Sequence, residues 1–506
     1  MTTGIEQVKG QKTYATIVSK TGTGVSREDK AKATDPTIQP TLSTPYANIN
    51  ISGTPGVLGG SANSASITLS FPSIPAGKFV YVRIANNTLS GGGGSFKAEA
   101  VNGSTVVPGA SKLTIGPDGF TYYAVNASGT FTGVQITATG NGGLLGSTGT
   151  ANIDILYAFY STADCGITLG TDWSAGTLGG TVNNPQLAID GNPDTYSTMA
   201  PNLLLSYVDQ NFYFPESSTN PVTLTVSAPP KTGLSLGLLN NIIITAYNGA
   251  SETKVWETGA GNLLSLDLLG LLGNGTPTTF TISPNVPFDR IKINYGSVAN
   301  LFSEFYIREV IRTPDKPKFT IPTQQNITIC SGTQATFTPD APTSGNELRW
   351  YKKATGGTPT IGNSYTTSNL TATDSIYVAM AKTNCSGESE RIKMKITINT
   401  VNPGSIGTVQ TICAGTKPAM LTNVATGTGN GTVTYQWQKS TNDNTHYANI
   451  NGATAQTFTE SLILTQNTYY KRLATATLNG VSCSSDSNEI LITVHPKPPT
   501  PYVLIN

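Results

Sequence analysis

Five cysteines, two histidines and two solitary tryptophans are the residues in which this chain would keep reactive or ligand-contacting chemistry. Cys165, Cys330, Cys385, Cys413 and Cys483 include no CxxC pair, so a zinc cage of the usual ligand spacing is not indicated. His446 stands in a polar stretch beside Asn444 and Tyr447, and His495 in a Pro-rich linker. Neither lies near a Ser or Cys nucleophile with an orienting acid, which acyl transfer requires. The run Gly91-Gly92-Gly93-Gly94 lacks the Lys-Ser/Thr and the following helix of a phosphate cradle, and reads as a hairpin tip. Nothing marks the pair of positioned carboxylates a glycosidase needs, and no enzyme is expected. Trp173, in a Gly- and Thr-rich loop, and Trp256, on a strand beside Glu257, remain. An indole face with polar neighbours suits a pyranose ring, and plain packing is the alternative for each. Trp173 is the candidate ligand-binding residue.

Strands and turns must position these residues. Charged residues make up 12% of the 506, against about 25% in ordinary soluble domains, and there are 53 glycines. This is the profile of short strands joined by turns, in a chain too long for one core. A net charge of +1, with no basic stripe, argues against nucleic acid as a partner. Leu234–Leu239 and Leu263–Leu272 are interrupted by polar residues well short of about 20 apolar positions, so they read as buried strands and turns, with no transmembrane segment. Met1–Gly10 lacks the apolar core of a signal peptide, which fits a leader already removed or a start inside a longer protein.

Internal repeats supply the organisation. Ile327-Thr328-Ile329-Cys330-Ser331-Gly332-Thr333 returns as Gln410-Thr411-Ile412-Cys413-Ala414-Gly415-Thr416, and Leu348-Arg349-Trp350-Tyr351 as Tyr435-Gln436-Trp437-Gln438. Each copy adds a Tyr-bearing strand, a second cysteine and a closing strand of period two, Ile392-Met394-Ile396-Ile398 or Ile490-Ile492-Val494. The order Cys, Trp, Tyr, Cys resembles an immunoglobulin-like sandwich. Because each cysteine pair recurs at one place in its repeat, disulfides Cys330–Cys385 and Cys413–Cys483 are expected, each stapling one pole and implying an oxidising setting. Cys165 is left as a buried or loop thiol. A fainter repeat joins the first half: Ala33-Thr34-Asp35 matches Ala188-Ile189-Asp190, Ser70-Phe71-Pro72 matches Tyr213-Phe214-Pro215, and Ala100-Val101-Asn102-Gly103 matches Ala246-Tyr247-Asn248-Gly249. The fold class expected is all-β: two jelly-roll-like domains over 1–162 and 163–315, two Ig-like domains over 316–399 and 400–496, and a linker over 497–506 that opens a further repeat.

Ala188-Ile189-Asp190-Gly191-Asn192-Pro193-Asp194-Thr195-Tyr196 resembles the A-x-D-G-N-x-x-T-aromatic segment of discoidin-like, galactose-binding-like domains. With the Cys-Ser-Gly-Thr start at Cys330, the chain is similar to large Bacteroidota surface proteins exported by type IX secretion. In calcium-bearing relatives the segment wraps a structural ion, which implies Asp190, Asn192, Thr195 and Glu309 as metal residues here. A turn in which Asp190 caps backbone amides without metal is the competing reading. In the first repeat Asp35-Pro36 replaces Asp-Gly, so a site is expected only in the second.

The resemblance implies an extracellular or cell-surface adhesin whose repeated weak contacts gain from multivalency. A surface glycan or a protein is the expected ligand, and self-association into fibres is a further expectation. The alternative is a carbohydrate-binding module pair on an Ig-like stalk, serving a hydrolase encoded outside this stretch. The Pro/Lys linker Thr313–Ile321 is echoed by His495–Ile505, from which another Cys-Ser/Ala-Gly-Thr start is expected within about 15 positions past Asn506.

Overall fold

The computed structural model describes residues 12–26, 46–161, 165–229, 242–249, 253–259, 276–296, 304–385, 387–441 and 443–497. Asp35-Pro36, the two Leu-rich stretches and the tail after residue 497 lie outside these residues. Regular structure among them is strand, apart from short 3-10 turns. No helix among them is long and apolar enough to cross a membrane. The chain divides into two compact units, residues 1–315 with Met380–Glu390, and Lys316–Ala379 with Arg391–Asn506.

Two sandwiches make up the first unit. In the Asn63–Ile74 strand the alternation Ala65, Ile67, Leu69, Phe71 faces inward and the intervening residues do not, as one buried sheet face demands. Facing this sheet are Val80–Gly91, Gly149–Ser161 and Ala47–Ser52, whose Val80, Val82, Ile84, Ile153 and Ile49 close the first core. The Gly91–Gly94 run is not the hairpin tip expected: Val80–Gly91 and Gly94–Asn102 belong to the two facing sheets, and the run carries the chain from one to the other, with Gly91 and Gly93 at φ of 67° and 96°, where a side chain is disfavoured. A second core, including Phe212, Phe214, Leu224, Ile244, Ile291 and Ile307, lies between the strands flanking Tyr207–Ser218 and those flanking Phe305–Arg312.

The sandwiches are fused, an arrangement no repeat pattern announces. Thr171 pairs with Ile115, so Gly170–Ala175 of the second sandwich continues the sheet edge of the first at Gly109–Ile115, and one twelve-stranded sheet serves both cores. Residues of that sheet that point away from both cores meet in an aromatic seam of Phe79, Tyr81, Tyr122, Phe159, Leu169 and Tyr213. Tyr81 stacks on Phe159 with centroids 5.7 Å apart, and Phe79 meets Tyr213 edge-on at 6.0 Å.

The second unit holds two Ig-like sandwiches of the same design. In each, an opening strand runs parallel to the closing one: Asn326–Cys330 along Ile392–Asn399, and Gln410–Cys413 along Ile490–His495. Trp350 and Trp437 are core residues, each donating its indole N–H to a carbonyl, Gly362 at 2.7 Å and Ala455 at 2.9 Å. Arg472 is buried and spends its guanidinium on Asn423, Gln456, Pro403 and Ala425.

The cysteines pair otherwise than the repeats suggest. Cys165 is bonded to Cys385, and Cys330 to Cys483, while Cys413 is an exposed free thiol. The expected Cys330–Cys385 and Cys413–Cys483 bridges fail on distance. Cys413 lies opposite His495, past the level where Ile492 meets Thr468, whereas Cys483 lies opposite Ala476. The eight residues between Thr468 and Ala476 span about 26 Å at roughly 3.3 Å per residue. A disulfide tolerates a Cα separation of about 7 Å at most. Cys330 likewise lies opposite Asn399, while Cys385 sits in the turn beyond the other end of the same strand pair.

Candidate functional site

A pocket of about 430 Å3 opens on the outer face of the shared sheet, close to where the sandwiches join. Its wall takes Lys112 and Leu113 from the first sandwich, and the rest is built from four neighbouring strands of the second. Asp172 accepts hydrogen bonds from Asn211 Nδ2 at 2.6 Å and from the Tyr213 hydroxyl at 2.7 Å. Asp209 accepts from Asn294 Nδ2 at 2.7 Å and pairs with Lys292 at 3.7 Å. Arg290 lies over the Tyr247 ring, 4.7 Å from its centroid, and faces Tyr213 at 5.5 Å. Burial draws the Lys292 ammonium down, but Asp209 and Tyr247 hold it up, and the balance lies above its ordinary value. Burial, then Asp172, push the Tyr213 hydroxyl far up, so it stays a neutral donor. Donors, acceptors and the apolar edges of Leu113, Tyr247 and Trp173 therefore line one cavity.

Trp173 lines this pocket and is 40% exposed. Its cross-strand partner is the buried Gln210, and along the strand it alternates with Asp172 and Ser174. Asp172 shares the face of Asn211 and Tyr213, so Trp173 forms a rim of the pocket and not its floor. Trp256 packs against the second core. The other pocket-lining residues were beyond sequence reasoning, because they come from five separated strands.

Asp190 sits in a tight loop after the Pro185–Ala188 turn. Its Oδ1 accepts the Asn192 amide at 2.9 Å and its Oδ2 the Thr195 hydroxyl at 2.8 Å, and the same hydroxyl lies 2.7 Å from the Asn192 carbonyl. Gly191 adopts φ of 78°, which the Gly of the motif permits. The Asn192 side chain is turned away, accepting the Asp194 amide at 3.2 Å. Arg308 grips the far side of the loop through the Pro193 and Asp194 carbonyls, at 3.1 and 3.2 Å, a contact no motif marks. Glu309 comes to the same place from the Phe305–Arg312 strand. Burial, then the charge of Asp190, push its carboxyl up to about 8, against hydrogen bonds from the Gly191 and Val310 amides. Its Oε2 is shut off from solvent without a hydrogen-bond partner. No group of three or more His, Cys, Asp or Glu side chains gathers among the described residues. A cation here would rest on two carboxylates supplemented by carbonyl and hydroxyl oxygens, a donor set that suits calcium, and the unpartnered Oε2 is the atom that fits it.

Of the histidines, His446 is exposed and bonded to Asp443 at 3.1 Å within a local turn, and His495 closes the last strand.

Residues 314–400 match the family described as Ig-like domain, CHU_C associated, and residues 402–496 a domain of unknown function, DUF8696. No curated protein matches the chain. Among solved structures, a β-1,2-glucanase from Parabacteroides distasonis is 10% identical with a TM-score of 0.22, and the match covers 65% of this chain and 37% of the glucanase. Three N-terminal domains of the bacteriophage RB49 outer capsid protein Hoc are 12% identical with a TM-score of 0.26, over 63% of this chain and 100% of that one. The family 32 carbohydrate-binding module of C. perfringens NanJ, solved with galactose, is 21% identical with a TM-score of 0.18, over 28% of this chain and 90% of that one. These scores are too low to carry function from any of the three. Strand order and family match agree: residues 314–400 form an Ig-like sandwich and match the CHU_C-associated Ig-like family.

Proposed function

We propose that the chain is an extracellular binding segment of a surface adhesin, and that its ligand is a glycan held in the pocket beside Trp173. The observation that carries this reading is the convergence of Asp172, Asp209, Asn211, Arg290 and Lys292 with Leu113 and Tyr247 in one pocket, with Trp173 at its rim. Sugar hydroxyls both donate and accept, and the pocket offers groups of both kinds. The reading is of binding without turnover: both oxygens of Asp172 are engaged by Asn211 and Tyr213, and Asp209 is engaged by Asn294 and Lys292. Two disulfides support an oxidising, extracellular setting.

A calcium ion at Asp190 and Glu309 is the structural part of the proposal. When bound, it supplies positive charge between two carboxylates that otherwise repel. Asp190 keeps the loop closed through Asn192 and Thr195, and Arg308 holds the opposite side, so the ion's role is to fix the loop and not to contact the glycan.

A glycan array probed with the 506-residue chain tests the binding site. Selective binding that disappears in Ser174→Trp, which fills the pocket from an exposed position, supports the assignment. Equal binding by wild type and Ser174→Trp would move the site elsewhere, and failure with every glycan would leave a protein ligand.

A further inference from the structure

The disulfides follow a rule that runs along the chain. In three places a cysteine lies beside the final strand of a sandwich, at the pole where the chain leaves it. Cys165 precedes Gly166, whose carbonyl accepts the Arg312 amide at 2.8 Å. Cys330 pairs with Asn399, and Cys413 with His495. Two further cysteines sit in the hairpin that opens the opposite pole of an Ig-like sandwich. Cys385 lies in the turn closed by Ala381 and Glu388, and Cys483 follows the turn closed by Leu478 and Val481. Each bond joins an exit-pole cysteine to the hairpin cysteine of the next sandwich: Cys165 to Cys385 and Cys330 to Cys483. Cys413 is the exit-pole cysteine whose bond is not made.

Cys413 is held as Cys330 is. The Cys330 carbonyl accepts the Thr333 amide at 3.1 Å and hydroxyl at 2.7 Å, and the Cys413 carbonyl accepts those of Thr416 at 3.2 and 2.7 Å. The next residue donates its amide to the closing strand in both, Ser331 to Asn399 at 3.1 Å and Ala414 to His495 at 2.8 Å. The glycine after it donates to a leucine carbonyl in both, Gly332 to Leu370 at 2.7 Å and Gly415 to Leu464 at 2.8 Å. At the bonded site Asn399 also reaches across to the partner hairpin, donating to the Ala476 and Val481 carbonyls at 2.8 and 2.9 Å. His495 holds the corresponding position beside Cys413.

We infer that Cys413 is a docking thiol, built to form a disulfide with the hairpin cysteine of a further Ig-like module that packs on the pole marked by His495. The array is thereby stapled module to module and not within modules. Formation takes two exchange steps. The Cys413 thiolate attacks a sulfur of a disulfide oxidant, such as an oxidised dithiol oxidoreductase or a small-molecule disulfide, which releases one thiol. The hairpin thiolate then attacks the Cys413 sulfur and releases the second. Two protein thiols are oxidised and lose their protons, and the oxidant is reduced to two thiols.

The test has two arms. On the 506-residue chain under native conditions, an aromatic disulfide reagent should release one equivalent of chromophore, falling to none in Cys413→Ser. The protein as secreted by its own cells should then be alkylated, digested without reduction and mapped. A Cys413 peptide linked to a cysteine lying between the last two strands of another Ig-like module is the expected result. Cys413 found alkylated, joined to Cys483, capped by a small thiol, or joined to Cys413 of a second copy would overturn the inference, as would no reactive thiol on the monomeric chain.

Discussion

Replacing Asp289 by Asn should make the second sandwich less sensitive to pH and more stable in neutral solution. Asp289 is buried next to the aromatic seam, with its Oδ2 accepting the Gly249 amide at 2.8 Å. Burial pushes its carboxyl up to about 6, against the pull of the Gly249 amide, Arg290 and Arg312. An unfolded chain would hold the same group near its ordinary value of about 3.9. Between these values the folded state binds more protons than the unfolded one, so stability falls as pH rises. The contribution is fully present below about pH 4 and is lost as pH passes through about 6. A shift of about two units corresponds to a ceiling of ~3 kcal/mol at 1.36 kcal/mol per unit, and relaxation of the site lowers that to between about 1 and 3. The sandwiches need not unfold together, so the fitting assay is amide hydrogen exchange in Ile242–Asn248 and Phe288–Gly296, measured from pH 4 to 7.5. Subtracting Asp289→Asn from wild type removes the contribution of other carboxylates. Wild-type protection gained relative to the variant on going from pH 4 to 7 would refute the reasoning, and so would a variant that kept the full slope.

Calcium should raise the protection of the second sandwich, and Asp190→Asn or Glu309→Gln should abolish the gain; identical exchange with calcium and with chelator in wild type would count against the site. Trp437→Ala should cost about 3–5 kcal/mol in the second unit, as large aromatic truncations in cores do, read from the urea midpoint of its transition. Cys330→Ser opens a link of sequence separation 153, for which loop entropy sets a ceiling of about 5 kcal/mol, and peptide mapping of that variant should find no Cys413–Cys483 bond. If that bond forms readily, the two cysteines are not at opposite poles.

What was legible in the sequence was whatever depends on neighbours along the chain. Period-two strands such as Ile392–Ile398 and the core tryptophans Trp350 and Trp437 follow from local alternation and bulk, whereas the Gly91–Gly94 run, read as a hairpin tip, crosses between two sheets. The Asp190 loop was legible for the same reason, since Asp190, Asn192 and Thr195 meet within six residues, although Asn192 contributes its carbonyl and not its side chain. What failed depends on partners chosen in space. The repeat placed two cysteines in each Ig-like copy and paired them within the copy, because sequence does not reveal that Cys413 and Cys483 lie about 26 Å apart along one sheet. Continuity of the sheet across the first two sandwiches runs through the pairing of Thr171 with Ile115, which has no compositional signature. The pocket arises from that fusion, so Trp173 was visible and its companions Lys112, Arg290 and Lys292 were not.

The assignment of a glycan site to the fused sheet is tested most directly by calorimetric titration of the 506-residue chain with the best glycan from an array. The wild type should bind at millimolar strength or tighter. Trp173→Ala should weaken binding several-fold by removing the rim, and Ser174→Trp should abolish it by filling the pocket, with unchanged exchange protection in the Tyr207–Ser218 strand showing that the sheet is intact. Undiminished glycan affinity in both variants would contradict the assignment.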